Sequence, residues 1–305
     1  MLLFFIRVIP YRVKNLCLMV ALAVTIPMIV GLLAEPTQGA LLQGPHVLAL
    51  MAEELGHAKT LQVEQQVIFE DAKIADKQLI LNETLYFIFP AKVRSEMVYQ
   101  NTQRVQVVSG EQALTIIDNK ITRTEVGRFD RYTELLLHRS ALQLFKRLAL
   151  GGIDVGIVSF GRQDTEVCYV IGAQFPDETV SQLWVDKDKF LPMRWLTTRP
   201  VGGDNSQMER WEFVYTSWQK VKDIFYPFKI ETLHNGKRIR SIRVNKVQVD
   251  APIDATLFNI SQLRSNYPIE NIKTSPESDP SSDDSSTQMD EVQHAIEDFK
   301  RKFEP

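Results

Sequence analysis

Five histidines, His46, His57, His138, His234 and His294, are the first residues to test for chemistry, because imidazole serves both metal binding and proton transfer. Neither H-x-x-H nor H-E-x-x-H occurs, and none of the five stands near Cys168, so the spacing offers no metal site. His57 reads as a cation in the last turn of a helix. A nucleophilic serine needs a strained elbow and a base, but Ser159 sits in "GIVSFG", which lacks G-x-S-x-G. "GGIDVG" is neither a phosphate-cradling loop nor a G-x-G-x-x-G after a strand, and helix termination accounts for it. Asp164 and Glu166 could pair as acid and base, as could many surface carboxylates. The residues point to no catalysis, no metal and no cofactor. The chain reads as a binder.

What it binds must be read from apolar residues. "LWVDKDKFLPMRWLT", residues 183–197, reads as two strands around a charged turn. Leu183, Val185, Leu191, Met193 and Trp195 share one parity, while Trp184, Phe190 and Leu196 take the other. Further aromatics recur at Tyr86, Phe87 and Phe89, at Trp211, Phe213 and Tyr215, and at Phe225 and Phe228. A sheet apolar on both faces covers its core on one side and something else on the other. Two arrangements satisfy this: a filled barrel with helices outside, or a curved, partly open sheet whose inner face holds an acyl chain.

The elements that position these residues follow from periodicity. Val47, Leu48, Met51 and Leu55 recur at helical spacing after Pro45, which suits a first turn. Strands follow: "LQVEQQVIFE"; "QLILNETLYFIFP", with Leu79, Leu81, Leu85, Phe87 and Phe89 on one parity; and then "KVRSEMVYQ", "RVQVVSG" and "ALTIIDNKITRTEV". Turn chemistry stands at Ser109-Gly110 and Asp118-Asn119. The spacing predicts one helix over 130–152, capped by Asp130, with Leu135, Leu142, Phe145 and Leu148 as its stripe and Gly151-Gly152 as terminator. Strands resume to residue 250, with His234-Asn235-Gly236-Lys237 as a hairpin signal. Strands, one or two helices, then strands again predict an α+β fold with a large antiparallel sheet.

The ends differ from the middle. Arg7, Arg12 and Lys14 precede an uncharged run over 15–34 and then "EPTQGA", so residues 1–40 read as a secretory signal peptide. The run is also long enough for a retained inner-membrane anchor. Without those forty residues 265 remain and the net charge moves from −3 to −5, which gives no footprint for nucleic acid. Only Cys168 is then left, so no internal disulfide forms. Residues 264–290, rich in Ser and Asp, read as a disordered linker, and 291–305 as a short amphipathic helix. Its stripe, Val292, Ile296, Phe299 and Phe303, is a candidate partner-binding surface, since so short a helix needs something to lie on.

In their order, several segments resemble the LolA-like periplasmic family of outer-membrane lipoprotein-sorting proteins. They are "LQVEQQVIFE", "LYFIFPAKVRSEM", "ALTIIDNKITRTEVG", "LWVDKDKFLPMRWLT" and "RVNKVQVDAPIDATLFNI", within about residues 43–260. The resemblance implies, for residues 41–263, an incomplete antiparallel β-barrel with a helical lid over an apolar cavity, and no catalytic residues. It implies that the cavity and lid residues are Val47, Met51, Leu55, Leu85, Phe87, Phe89, Leu135, Leu142, Phe145, Trp184, Met193, Trp195, Trp211 and Phe213. The lipoprotein carriers commonly have an arginine just before the motif's proline, holding the lid; before Pro90 this chain has Phe89. The expected function is a periplasmic, monomeric, non-enzymatic carrier of lipid or acylated lipoprotein, with an inner-membrane donor and an outer-membrane acceptor as partners. The alternative is a lipid- or lipoprotein-sensing regulatory or scaffold module on the same fold, acting through a protein partner.

Overall fold

The computed structural model describes residues 41–74, 77–99, 102–127, 130–201 and 207–269. The segments expected as signal peptide, most of the linker and the terminal helix lie outside these. Helix α1 (Gly44–Leu55) is followed by six strands: β1 (Thr60–Ile74), β2 (Lys77–Ile88), β3 (Lys92–Tyr99), β4 (Thr102–Ser109), β5 (Gln112–Ile117) and β6 (Lys120–Arg123). Two short helices come next, α2 (Tyr132–Leu137) and α3 (Ala141–Leu150). Seven more strands follow: β7 (Val158–Gln163), β8 (Glu166–Ile171), β9 (Gln182–Asp186), β10 (Pro192–Val201), β11 (Gln207–Val221), β12 (Ile224–His234) and β13 (Lys237–Val249). A 3-10 turn (Ala255–Phe258) and helix α4 (Ile260–Asn266) end the described chain. The expected domain boundary at 263/264 therefore falls inside α4. Among the described residues, no helix is long and apolar enough to cross a membrane.

All thirteen strands form one open antiparallel sheet, in the order β6-β5-β4-β3-β2-β1-β13-β12-β11-β10-β9-β8-β7. Each half is a meander of local hairpins, and the first and last strands meet in the middle, Leu61 opposite Val249 and Phe69 opposite Arg240. The segment carrying α2 and α3 runs between the two edge strands. Hairpin turns match the residues available: Asp118 and Asn119 both take positive φ, as do Asn235 and Gly236, the pattern of two-residue turns that follow strand twist.

The expected helix over 130–152 is two helices. The chain breaks at His138, and Ser140 starts a new helix by accepting a hydrogen bond from the Gln143 amide. The restart resets the phase. Helix α3 buries Leu144 and Leu148, four apart, and turns Leu142 (63% exposed) and Phe145 (42% exposed) outward. Asp130 does not cap either helix; its carboxylate goes to Arg104 instead. Gly151-Gly152 does terminate α3, with Gly152 at φ 78° and Ile153 N–H bonded to the Leu148 carbonyl.

One continuous core joins the helices to one face of the sheet, which we call the inner face. Val47, Leu48, Met51 and Leu55 of α1, the leucines of α2, and Leu144 and Leu148 of α3 pack with Leu85, Phe87, Leu183, Trp195, Phe213 and Ile242. Two smaller clusters lie elsewhere. The 3-10 turn and α4 cover Val105, Val107, Leu114 and Ile116. Trp184, Cys168, Val170 and Met193 form the other. Truncating Leu48, fully buried in α1, to alanine should cost about 2–5 kcal/mol. The check is a urea unfolding curve, in which the midpoint should fall without a change in slope.

Candidate functional site

The apolar inner face and the helices over it are the candidate site. Alternation along β2 places Leu85 and Phe87 there, and the strand's exit leaves Phe89 half-buried against the same core. Leu183 lies opposite Trp195, and Trp195 opposite Phe213, so three neighbouring strands contribute one continuous apolar row. Val47, Met51, Leu55 and Leu135 meet it from the helices with no exposed surface. Trp211 is buried too, but at the rim. Its ring meets that of His234 in a tilted contact with centroids 4.6 Å apart, and it lines a cleft of about 180 Å³ with Leu150 and Arg131.

Trp184 and Met193 are not on this face, which corrects their expected position. The turn of their hairpin is built by the buried Asp186 carboxylate, which accepts from the amides of Asp188 (2.9 Å) and Lys189 (2.7 Å). Phe190 then takes φ 51°, and the β9–β10 register slips between Pro192 and Arg194. The slip rotates Met193 away from Leu191 and Trp195 and sets it against Trp184 on the outer side. Both sides of the hairpin are apolar because one serves the main core and the other a small outer cluster. Leu142 and Phe145 stand outside the core for the reason given by the helix restart.

Polar contacts hold the helices down. Arg139, in the α2–α3 connection, is 6% exposed; its Nε donates to the Leu136 carbonyl (3.0 Å) and Nη1 to the carbonyl of Leu55, the last residue of α1. Its guanidinium lies 5.1 Å from the centre of the Phe89 ring. Burial pulls its pKa down to about 10, so it remains charged at neutral pH. An arginine thus does meet the residue before Pro90, from the lid rather than from the strand. Arg147 grips Glu134 through two bonds of 2.5 Å, tying α3 to α2. Burial and the Arg147 charge push the pKa of His138, beside Arg139, below its ordinary value, against a hydrogen bond with the Pro90 backbone.

A second set lies under α2. Glu83 accepts from Ser95 Oγ (2.5 Å), Gln65 Nε2 (2.5 Å) and the Tyr132 hydroxyl (3.3 Å). Tyr215 donates to the Tyr132 carbonyl at 3.0 Å, and the Arg240 guanidinium lies 5.1 Å over the Tyr132 ring. Sequence reasoning missed these residues, yet a signal existed. Gln65 and Glu83 stand on the apolar parity of β1 and β2, where a polar side chain needs a buried partner. Burial raises the Glu83 pKa above the usual carboxylate range, against the pull of Arg240 and of the Ser95 and Gln65 hydrogen bonds. Among the described residues, no group of acidic, histidine or cysteine side chains could hold a metal.

An open antiparallel sheet whose apolar face is covered by short helices has known counterparts. A Vibrio parahaemolyticus domain described as an outer membrane lipoprotein-sorting protein superposes with a TM-score of 0.50 at 7% identity, over 72% of this chain and 97% of that one. This chain shares the fold of that domain. A LolA superfamily protein from Nitrosomonas europaea aligns at a TM-score of 0.48 and 9% identity, over 72% of this chain and 99% of its own. A DUF1329 family protein from Desulfovibrio piger aligns at 0.45 and 13%, over 72% and 98%. No family model and no curated protein matches the sequence. The expected incomplete barrel is present, with α1, α2 and α3 over its apolar face.

The raised pKa of Glu83 has a definite sign in stability. Between its ordinary value of 4.5 and the folded value the native state holds the extra proton, so stability falls as pH rises through that window. Glu83→Gln cannot titrate. The melting temperature of wild type relative to E83Q should therefore decline as pH is raised from 4 towards neutrality, and a flat difference would contradict the assignment.

Proposed function

We propose that the protein is a non-enzymatic carrier, acting in the periplasm, that takes the acyl chains of a lipid or lipoprotein into the space its lid side chains now fill. The observation that supports this most is the kind of cover the inner face has. An apolar sheet face is closed by three short helices whose contacts with the sheet can be exchanged for similar apolar contacts with an acyl chain. The Vibrio domain of the same fold is described as a lipoprotein-sorting protein, which favours the same reading.

Energetics allow the exchange. A chain of about twelve methylenes gains on the order of 10 kcal/mol on leaving water, at about 0.8 kcal/mol each. Re-exposing four or five lid leucines costs about as much, at roughly 1.5–3 kcal/mol each. Cargo is then held near balance and can pass to an acceptor that holds it better. Chemistry on the cargo is not required.

The test is native mass spectrometry of the full chain, exported with its own leader and recovered from the periplasm. The expected result is a mass increment that denaturation releases as phospholipid or acylated peptide. A chain that is bare, and stays bare after incubation with mixed phospholipid micelles, defeats the proposal. The lid contact supplies a rate prediction. Arg139→Gln removes a charged hydrogen bond worth roughly 1.5–3 kcal/mol, so uptake of a fluorescent fatty acid followed by stopped flow should quicken about tenfold or more.

A further inference from the structure

The inner face is not apolar throughout. At its β4–β6 corner, Arg104 and Gln106 stand two residues apart on β4, and Gln106 lies opposite Thr115, which in turn lies opposite Arg123. Gln106 and Thr115 are each only 4% exposed. Arg104 Nη2 donates to Asp130 Oδ2 at 2.7 Å. The buried Arg104 Nη1, Gln106 Nε2 and Thr115 Oγ1 have no partner among the described residues. Arg123 lies in the same neighbourhood: a methyl placed on Gly127 would lie 3.0 Å from Asp130 Oδ2 and 3.3 Å from Arg123 Nη1.

Each unmatched group can donate a hydrogen bond, and burying such donors without an acceptor is costly. The acceptor that suits amide, hydroxyl and guanidinium donors together is an oxyanion. Asp130 supplies one from the lid side, since it stands two residues before α2 and belongs to the segment that must lift. Lifting that segment with nothing in its place would take from the partly buried Arg104 the carboxylate it is bonded to, which is unfavourable.

We propose that the Arg104–Gln106–Thr115 corner is a binding site for the oxyanion of an amphiphilic cargo, a phosphodiester or carboxylate, which replaces Asp130 when α2 lifts. This rests on the carrier reading and adds to it the polar class of the cargo. The acyl chains run over the Leu85, Phe87, Trp195 and Phe213 surface, while the head group exchanges with Asp130 on Arg104. The lid thus carries its own stand-in for the ligand's charge.

The experiment compares phosphatidylglycerol and diacylglycerol, each carrying the same acyl-linked NBD fluorophore, binding to the full chain at low ionic strength. The phosphatidylglycerol probe should bind at least tenfold more tightly. In the Gln106→Leu, Thr115→Val double variant the ratio should fall towards one, and a thermal melt establishes that the variant is folded. Inorganic phosphate should compete with the phosphatidylglycerol probe and not with diacylglycerol. Equal affinities for the two probes in the wild type would overturn the head-group site and leave the carrier reading standing. Failure of both probes to bind would remove the carrier reading itself. If phosphate raises the melting temperature of wild type and not of the double variant while the two probes bind alike, the corner takes a free anion, which also overturns the head-group assignment.

Discussion

Desolvation of the inner face is the requirement on which the rest of the structure depends. A sheet of thirteen strands that does not close cannot bury its own apolar side, and no second sheet is present among the described residues to do so. Three short helices supply the cover. None is long enough to be stable alone, so sheet and helices each need the other's apolar surface. This mutual dependence fixes Met51, Leu55, Leu135 and Leu148 at zero exposure, and it leaves the lid held largely by non-directional contacts. Such contacts tolerate exchange for a chain of similar polarity.

The directional contacts are few and separable. Arg139 ties the α2–α3 connection to the end of α1, Arg147 ties α3 to α2, and Glu83, Gln65 and Arg104 hold the start of α2 to the sheet. Each is charged or buried, so each is expensive to break without replacement and discriminates between a settled lid and a displaced one. His138, beside Arg139, has its charged form disfavoured by burial and by the Arg147 charge.

Much of this was legible in the residues, for reasons that also mark where legibility stops. The alternation that carries Leu85 and Phe87 inward, the Asn235-Gly236 turn and the Gly151-Gly152 stop are local effects, and each appears in the structure as read. Met193 was misplaced because its face depends on the carboxylate of Asp186, seven residues away, and on the register slip that follows. Leu142 and Phe145 were misplaced because a hidden restart at Ser140 changed the helical phase. The polar corner escaped notice because Arg104, Gln106 and Thr115 become neighbours only once the strands pair.

The sheet's topology has a consequence for how the chain folds. Every hydrogen-bonded strand pair except one joins strands successive along the chain; β1 and β13 alone pair across nearly the whole domain. Two hairpin meanders can therefore assemble early, each from short loops, while the central seam waits for its two ends to find one another. Until then β1 and β13, of 15 and 13 residues, present open edges. The step that joins the halves also brings Asp250 and Thr60 together, so the covalent ends of the sheet become neighbours. A chain permuted to begin at β7 and end at β6 would keep every strand pair and turn this slow, long-range closure into a local one.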